Sequence, residues 1–292
     1  MKKNNLTIPD IKGTSRLFWA GAMLAAFWIG MNLVFPQLAP TGIPMIIVRI
    51  IVQGLILAGL WLGLSRTAFT YRTRATLWLA IAIPFTLWLT LILELATHGF
   101  FQAVPGVVLN LPVLPIATFL PVVVGLILLT RSGRIASLLD AMPTSWLIGI
   151  QLYRVYGSLF LVIWLHGILP GAFALPAGIG DAAVGVLALP AAALVASGTE
   201  AGRKAAMRWN ILGLIDLAIA ISMGIMTSLR GPFHGGSLVE TAGQLNAFPT
   251  VMTPGFVVPL SAILHGLSIW QLKRRAQRAE LSHVGTESQL SV

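Results

Sequence analysis

The chain contains no cysteine. That absence excludes disulfides, thiolate zinc centres, covalent haem attachment and a cysteine nucleophile. Charge is nearly as scarce, at 10% of 292 residues. A soluble domain carries about 25%, so this chain cannot cover a globular surface facing water. Acidic residues are fewest of all, nine against nineteen Lys and Arg, for a net charge of +10. Catalytic signatures are missing too: neither H-E-x-x-H nor an intramembrane G-x-S-G occurs. No second histidine lies four residues from His265, where Ser261 and Ile269 stand instead.

What the sequence does have is long apolar runs, with 57% hydrophobic residues. Sixteen basic residues cluster in alternate gaps between those runs. They are Lys2, Lys3, Lys12 and Arg16; Arg66, Arg72 and Arg74; Arg131 and Arg134; Arg203, Lys204 and Arg208; and Lys273, Arg274, Arg275 and Arg278. Short loops rich in Lys and Arg stay in the cytoplasm, and loops without them cross the bilayer. Gaps around 36–42, 97–106, 166–174 and 229–249 are almost free of positive charge, apart from Arg230. The basic residues follow membrane edges rather than forming one patch, which argues against a nucleic-acid partner and for the lipid bilayer.

A helix needs about 20 apolar residues to cross the hydrocarbon. The pattern predicts an all-α, polytopic transmembrane bundle of eight spans, with both termini cytoplasmic. The spans fall at 17–35, 43–64, 75–96, 107–130, 146–167, 174–197, 209–228 and 250–272. The chain divides into a cytoplasmic N-terminus (1–16), a first half (17–130), a linker (131–145), a second half (146–272) and a disordered cytoplasmic tail (273–292). The first run follows a basic N-terminus, as a signal peptide would. It is as long as a span and has no clear cleavage site, so it reads as retained. The expected location is the cytoplasmic (inner) membrane of a bacterium.

Within this plan, 134–142 reads as an amphipathic interfacial segment, with Thr144 and Ser145 as N-cap oxygens for the fifth span. The nine tryptophans fall mostly near span ends, as an aromatic belt requires. Thr14-Ser15 and Thr144-Ser145 open corresponding spans, and Leu109-Asn110 and Leu245-Asn246 precede Pro-rich ones. These pairs outline a 4+4 parallel internal repeat about an axis along the membrane normal. Pro112, Pro115 and Pro121 stud span four, and Pro249, Pro254 and Pro259 stud span eight. Interior proline removes helical hydrogen bonds. Broken helix at membrane depth must face protein or a water-filled cavity, here one opening outward.

Charges inside a bilayer are costly and mark candidate sites. At 1.5 Å per residue they sort into two layers. Arg154, Asp216 and His265 form the deeper one, about 10–12 Å from the inner ends, with Gln151, Tyr153 and Tyr156 near Arg154. They read as an ion pair locking spans five and seven, or as a proton- or ligand-linked site with His265 titrating near neutral pH. Arg49 and Asp181 form the outer layer, with Glu94, His98, Asn110 and His166 at outer span ends and Arg230, His234 and Glu240 in the last outer loop. The run 166–181, with two prolines and four glycines, reads as a turn delivering Asp181 into the bundle.

These residues support binding or transport of a small molecule. Arg49 or Arg154 would hold an anionic group, while Asp216 and His265 couple protons. The alternatives are a membrane-embedded hydrolase, with zinc among His98, His166 and His234, and a non-catalytic interaction protein. Haem would need His98 opposite His166. The balance leans away from an enzyme, and no cofactor is expected. Oligomeric state is not legible.

Overall fold

The computed structural model describes residues 11–102, 113–227 and 242–290. Lys2, Lys3, Asn110, Pro112, Arg230, His234 and Glu240 lie outside the described residues. Ten α-helices and no strand occupy the described segments. Eight spans are long and apolar enough to cross a membrane. The chain therefore has the architecture of a multi-pass membrane protein.

Four helices come first: α1 (Ile11–Val34), α2 (Ile43–Ser65), α3 (Tyr71–Thr97) and α4 (Val113–Arg131). The short helix α5 (Gly133–Ala141) follows, buried through Ile135, Ala136, Leu138 and Leu139. The fifth span is composite: α6 (Thr144–Gly149), a 3₁₀ segment over Ile150–Ser158, and α7 (Leu159–Leu165). Then come α8 (Gly171–Ala196), α9 (Glu200–Met226) and α10 (Val258–Leu290). A π turn, Thr253–Val257, opens the eighth span.

Proline predicted the breaks only partly. Span four is a continuous α-helix despite Pro121, and the unexpected break lies in span five, which has no interior proline. Its nine-residue 3₁₀ run exceeds the usual three or four residues of that helix. It packs closely on α8, with Gly185 of α8 against Val155 and Gly157 of the segment against Asp181. A Cβ at Gly185 would lie 2.5 Å from the backbone nitrogen of Val155. In span eight, Thr118 of α4 donates to the carbonyl of Pro254 at 2.9 Å, satisfying an oxygen of the π turn.

Three further expectations change. The fifth span is capped by Pro143 without a side-chain bond, so Thr144 begins the helix rather than capping it. Trp28, Trp78 and Trp209 do not form a belt. Their indole N–H groups donate to the carbonyls of Tyr156, Leu57 and Val184, because a donor inside a bundle needs a partner. The helix of span eight also runs on to Leu290, through the segment read as a disordered tail. Residues 273–281, KRRAQRAEL, are strong helix formers. Arg274 and Arg278 bond the Asp140 carboxylate at 2.9 and 2.7 Å, tying α10 to α5.

Packing places α8 at the centre, against α1, the composite span and α9. A second core, built on Leu89, Ile92, Leu139, Phe256 and Leu264, joins α3, α5, the π turn and α10. One end of the bundle carries the basic clusters. The other, charge-poor end carries a 3₁₀ turn over Pro36–Thr41.

Candidate functional site

Arg154 sits in the middle of the 3₁₀ segment with its side chain 1% exposed. Its Nε and Nη2 donate to Oδ1 of Asp181 on α8 at 2.8 and 2.6 Å. Nη2 also donates to Oδ2 of Asp216 on α9. Nη1 lies 3.3 Å from both the Gly213 carbonyl and His265 Nε2. One guanidinium thus holds two carboxylates and a histidine from three helices.

His265 is fixed from its other side. Its Nδ1 lies 3.0 Å from Asn210 Oδ1, while Asn210 Nδ2 donates to Ser268 Oγ and to the Ala206 carbonyl. The amide therefore turns its oxygen to the ring, and Nδ1 carries the hydrogen. With that tautomer, Nε2 accepts from Arg154. A proton on Nε2 would face the donors of a fixed guanidinium. Tyr153 completes the shell through a 2.7 Å bond between its hydroxyl and Ser261. Gln151 is fully buried, and neither its amide oxygen nor its nitrogen has a protein partner.

Glycines make the convergence sterically feasible. A Cβ at Gly157 would collide with Asp181, one at Gly180 with Asp216, and one at Gly213 with the His265 ring. Each is a place where a helix must present bare backbone to an incoming polar side chain.

Asp181, expected in the outer layer, joins the deeper group. Asp181 is ten residues into α8, and Asp216 is ten from the end of α9, so each lies about 15 Å from the charge-poor end. The sequence reading began span seven at 209, whereas α9 begins at Glu200 with Thr199 as its cap. Its charged first turns are helical, and counting from 209 misplaced Asp216 by more than two turns. The 166–181 run is also a plain helix from Gly171 onward, and it carries Asp181 to the bundle centre without re-entering.

Arg49 stands apart on α2, six residues from its start, or about 9 Å from the charge-poor end. It is 6% exposed. Nη1 donates to the Met45 carbonyl at 2.9 Å, and Nη2 to Thr253 Oγ1 at 3.2 Å. Nε has no partner, and no carboxylate pairs with this guanidinium among the described residues. A cavity of about 50 Å³ lies between Arg49, Tyr153, Arg154, Asp181 and Thr253. A void needs roughly 10–15 Å³ on this measure to hold one water, so a small polar group fits. Its lining carries two arginines and one aspartate, Asp181, while Asp216 bonds Arg154 without lining the cavity.

The cavity adjoins two others. A vestibule of about 440 Å³ next to the 3₁₀ turn shares Met45, Leu159, Ile163 and Thr250 with it. An apolar chamber of about 290 Å³ shares Phe160, Asp181 and Thr253.

The remaining candidates do not join this centre. Glu94 and His98 are exposed at the end of α3 and face each other at 3.5 Å. His166 lines the vestibule, with Nδ1 donating to the Val162 carbonyl at 2.8 Å. No group of three or more metal-capable His, Asp or Glu side chains forms among the described residues. Sequence reasoning missed Asn210, Ser268 and Thr253. Their signal was spacing: Asn210 lies six residues before Asp216, and Ser268 three after His265.

Residues 111–273 match the family described as a domain of unknown function (DUF8737). The match covers more than half the chain, spans the whole Arg154 cluster and leaves out Arg49. The chain belongs to that family. No curated protein and no solved structure matches it.

Proposed function

We propose that this protein binds, and moves across its membrane, a small molecule with an anionic group held at Arg49. The observation that carries this reading is a buried guanidinium, facing a cavity, whose Nε–H has no partner and which meets no carboxylate among the described residues. A guanidinium suits a carboxylate, sulfonate or phosphate because its planar donors match those oxygens. Asp181 and Asp216 share one arginine beside that cavity, so an arriving anion adds charge next to two carboxylates. Proton uptake by that pair is the means of offsetting it, in place of the histidine expected from the sequence. The test is binding of ethanesulfonate, a small permanent anion, to the wild type and to Arg49→Gln. The reading requires the substitution to remove binding.

The same proposal carries the finer topology. The basic end faces the cytoplasm, both termini lie there, and the vestibule opens to the opposite side; the alternation of basic loops supports this. The 4+4 repeat belongs to it as well, supported by the paired Thr-Ser and Leu-Asn positions in the two halves. One observation favours a second reading. Arg154 with Asp181 and Asp216 carries a formal charge of the sign opposite to Arg49, which suits a purely structural lock. That reading predicts no anion binding at all.

A further inference from the structure

An anion at Arg49 leaves the adjoining chamber without a purpose. The chamber is more than five times larger than the cavity at Arg49, about 290 against 50 Å³. Thr253, which accepts from Arg49, forms part of both walls. Away from that contact the lining is mostly apolar, with Phe173 and Leu217 on one side and Leu114 on another. Both α4 and α9 pack on α10, leaving the chamber between them. Its rim residues are Phe119 on α4 and Ile225 on α9, which are 49% and 63% exposed. Both helices are long and apolar enough to span a membrane, so exposed apolar side chains on them suit hydrocarbon. The chamber therefore has an exposed edge between α4 and α9, in the half of the bundle nearer the charge-poor end, where Leu114, Gly224 and Leu245 also line it.

We infer that the ligand is a single-chain amphipathic anion taken laterally from the membrane. Its head group sits at Arg49, and its alkyl chain lies in the chamber and leaves between Phe119 and Ile225. The inference rests on the Arg49 reading and adds the ligand's class and route. A site with one cation beside an apolar slot matches such a molecule at both ends. A ligand already dissolved in the bilayer need not cross the charge-poor end to reach it.

The experiment uses the full chain in lipid nanodiscs. An octanesulfonate analogue with a terminal diazirine is photolysed in the wild type, Arg49→Gln and Gly224→Phe, and labelled residues are mapped by mass spectrometry. A Cβ at Gly224 would stand 3.6 Å from Phe173 and 3.7 Å from Leu245, ordinary contact distances to chamber-lining side chains, and a melting temperature equal to wild type checks that Gly224→Phe folds. Expected is labelling on α4 and α9 around Phe119 and Ile225, lost at least tenfold in both variants and competed by unlabelled octanesulfonate. Ethanesulfonate binding should be unchanged in Gly224→Phe, which separates the chain site from the head-group site. Arg49-dependent labelling confined to the vestibule, beside Pro36 or Phe248, would overturn lateral access while leaving the anion site standing. The absence of any Arg49-dependent labelling or ethanesulfonate binding would overturn both.

Discussion

Arg154 and Arg49 are both buried guanidinium groups, yet their substitutions have opposite expected consequences. Arg154→Gln leaves Asp181 and Asp216 close together without their shared donor. Removing one partner of a buried ion pair costs about 3–5 kcal/mol. That variant should unfold at clearly lower temperature in detergent. Arg49→Gln removes a cation that no carboxylate pairs with among the described residues, and its stability should stay within about 1 kcal/mol of wild type. Thermal unfolding of the two variants side by side checks both; equal melting temperatures for wild type and Arg154→Gln would contradict the triad. At this scale the sequence was partly legible. Intramembrane Arg, Asp and His announce themselves by cost alone, which is why Arg154, Asp216, His265, Arg49 and Asp181 stood out. Their partnerships did not, because pairing across helices depends on rotation and register. Asp181 was grouped with Arg49, and it bonds Arg154 instead.

The elements were legible wherever hydrophobic length decides. The ends of α2 fall within a residue of the expected 43–64. Where tertiary packing decides, the signal fades. The 3₁₀ segment has no proline to announce it, and its packing partner, α8, lies about thirty residues away along the chain. Glycine spacing held the missing information. Gly157, Gly180 and Gly213 are where side chains enter, but they resemble any other glycine in an apolar run until their neighbours are known. This gives a prediction at the level of helix contact. Gly157→Ala places a methyl group against Asp181, forcing α8 from the 3₁₀ segment or the carboxylate from Arg154. Overpacking of this kind costs about 1–3 kcal/mol. Gly30→Ala, with open space around its Cβ, is the control. A Gly157→Ala protein as stable as the Gly30→Ala one would contradict the close approach.

For the whole molecule, the lack of cysteine becomes an experimental advantage, since the native chain is already a clean background for cysteine placement. Thr41→Cys in the charge-poor turn should react with a membrane-impermeant maleimide on intact cells. Ser132→Cys and Thr199→Cys, at the basic end, should react only after permeabilisation. The reverse pattern would invert the proposed orientation. Eight spans with basic loops at alternate gaps were readable from composition and charge, because the bilayer imposes both on the sequence. The three adjoining cavities were not, because they arise from how α4, α8, α9 and the π turn fail to close on one another.

The central claim is that Arg49 is an anion site, and calorimetric titration of ethanesulfonate into the nanodisc-embedded protein tests it most directly. The account predicts saturable binding to the wild type, weakened at least tenfold in Arg49→Gln and partly retained in Arg49→Lys, with all three proteins equally stable. Binding that survives Arg49→Gln unchanged, or a wild type that does not bind, would contradict it and leave the buried charges as a structural lock.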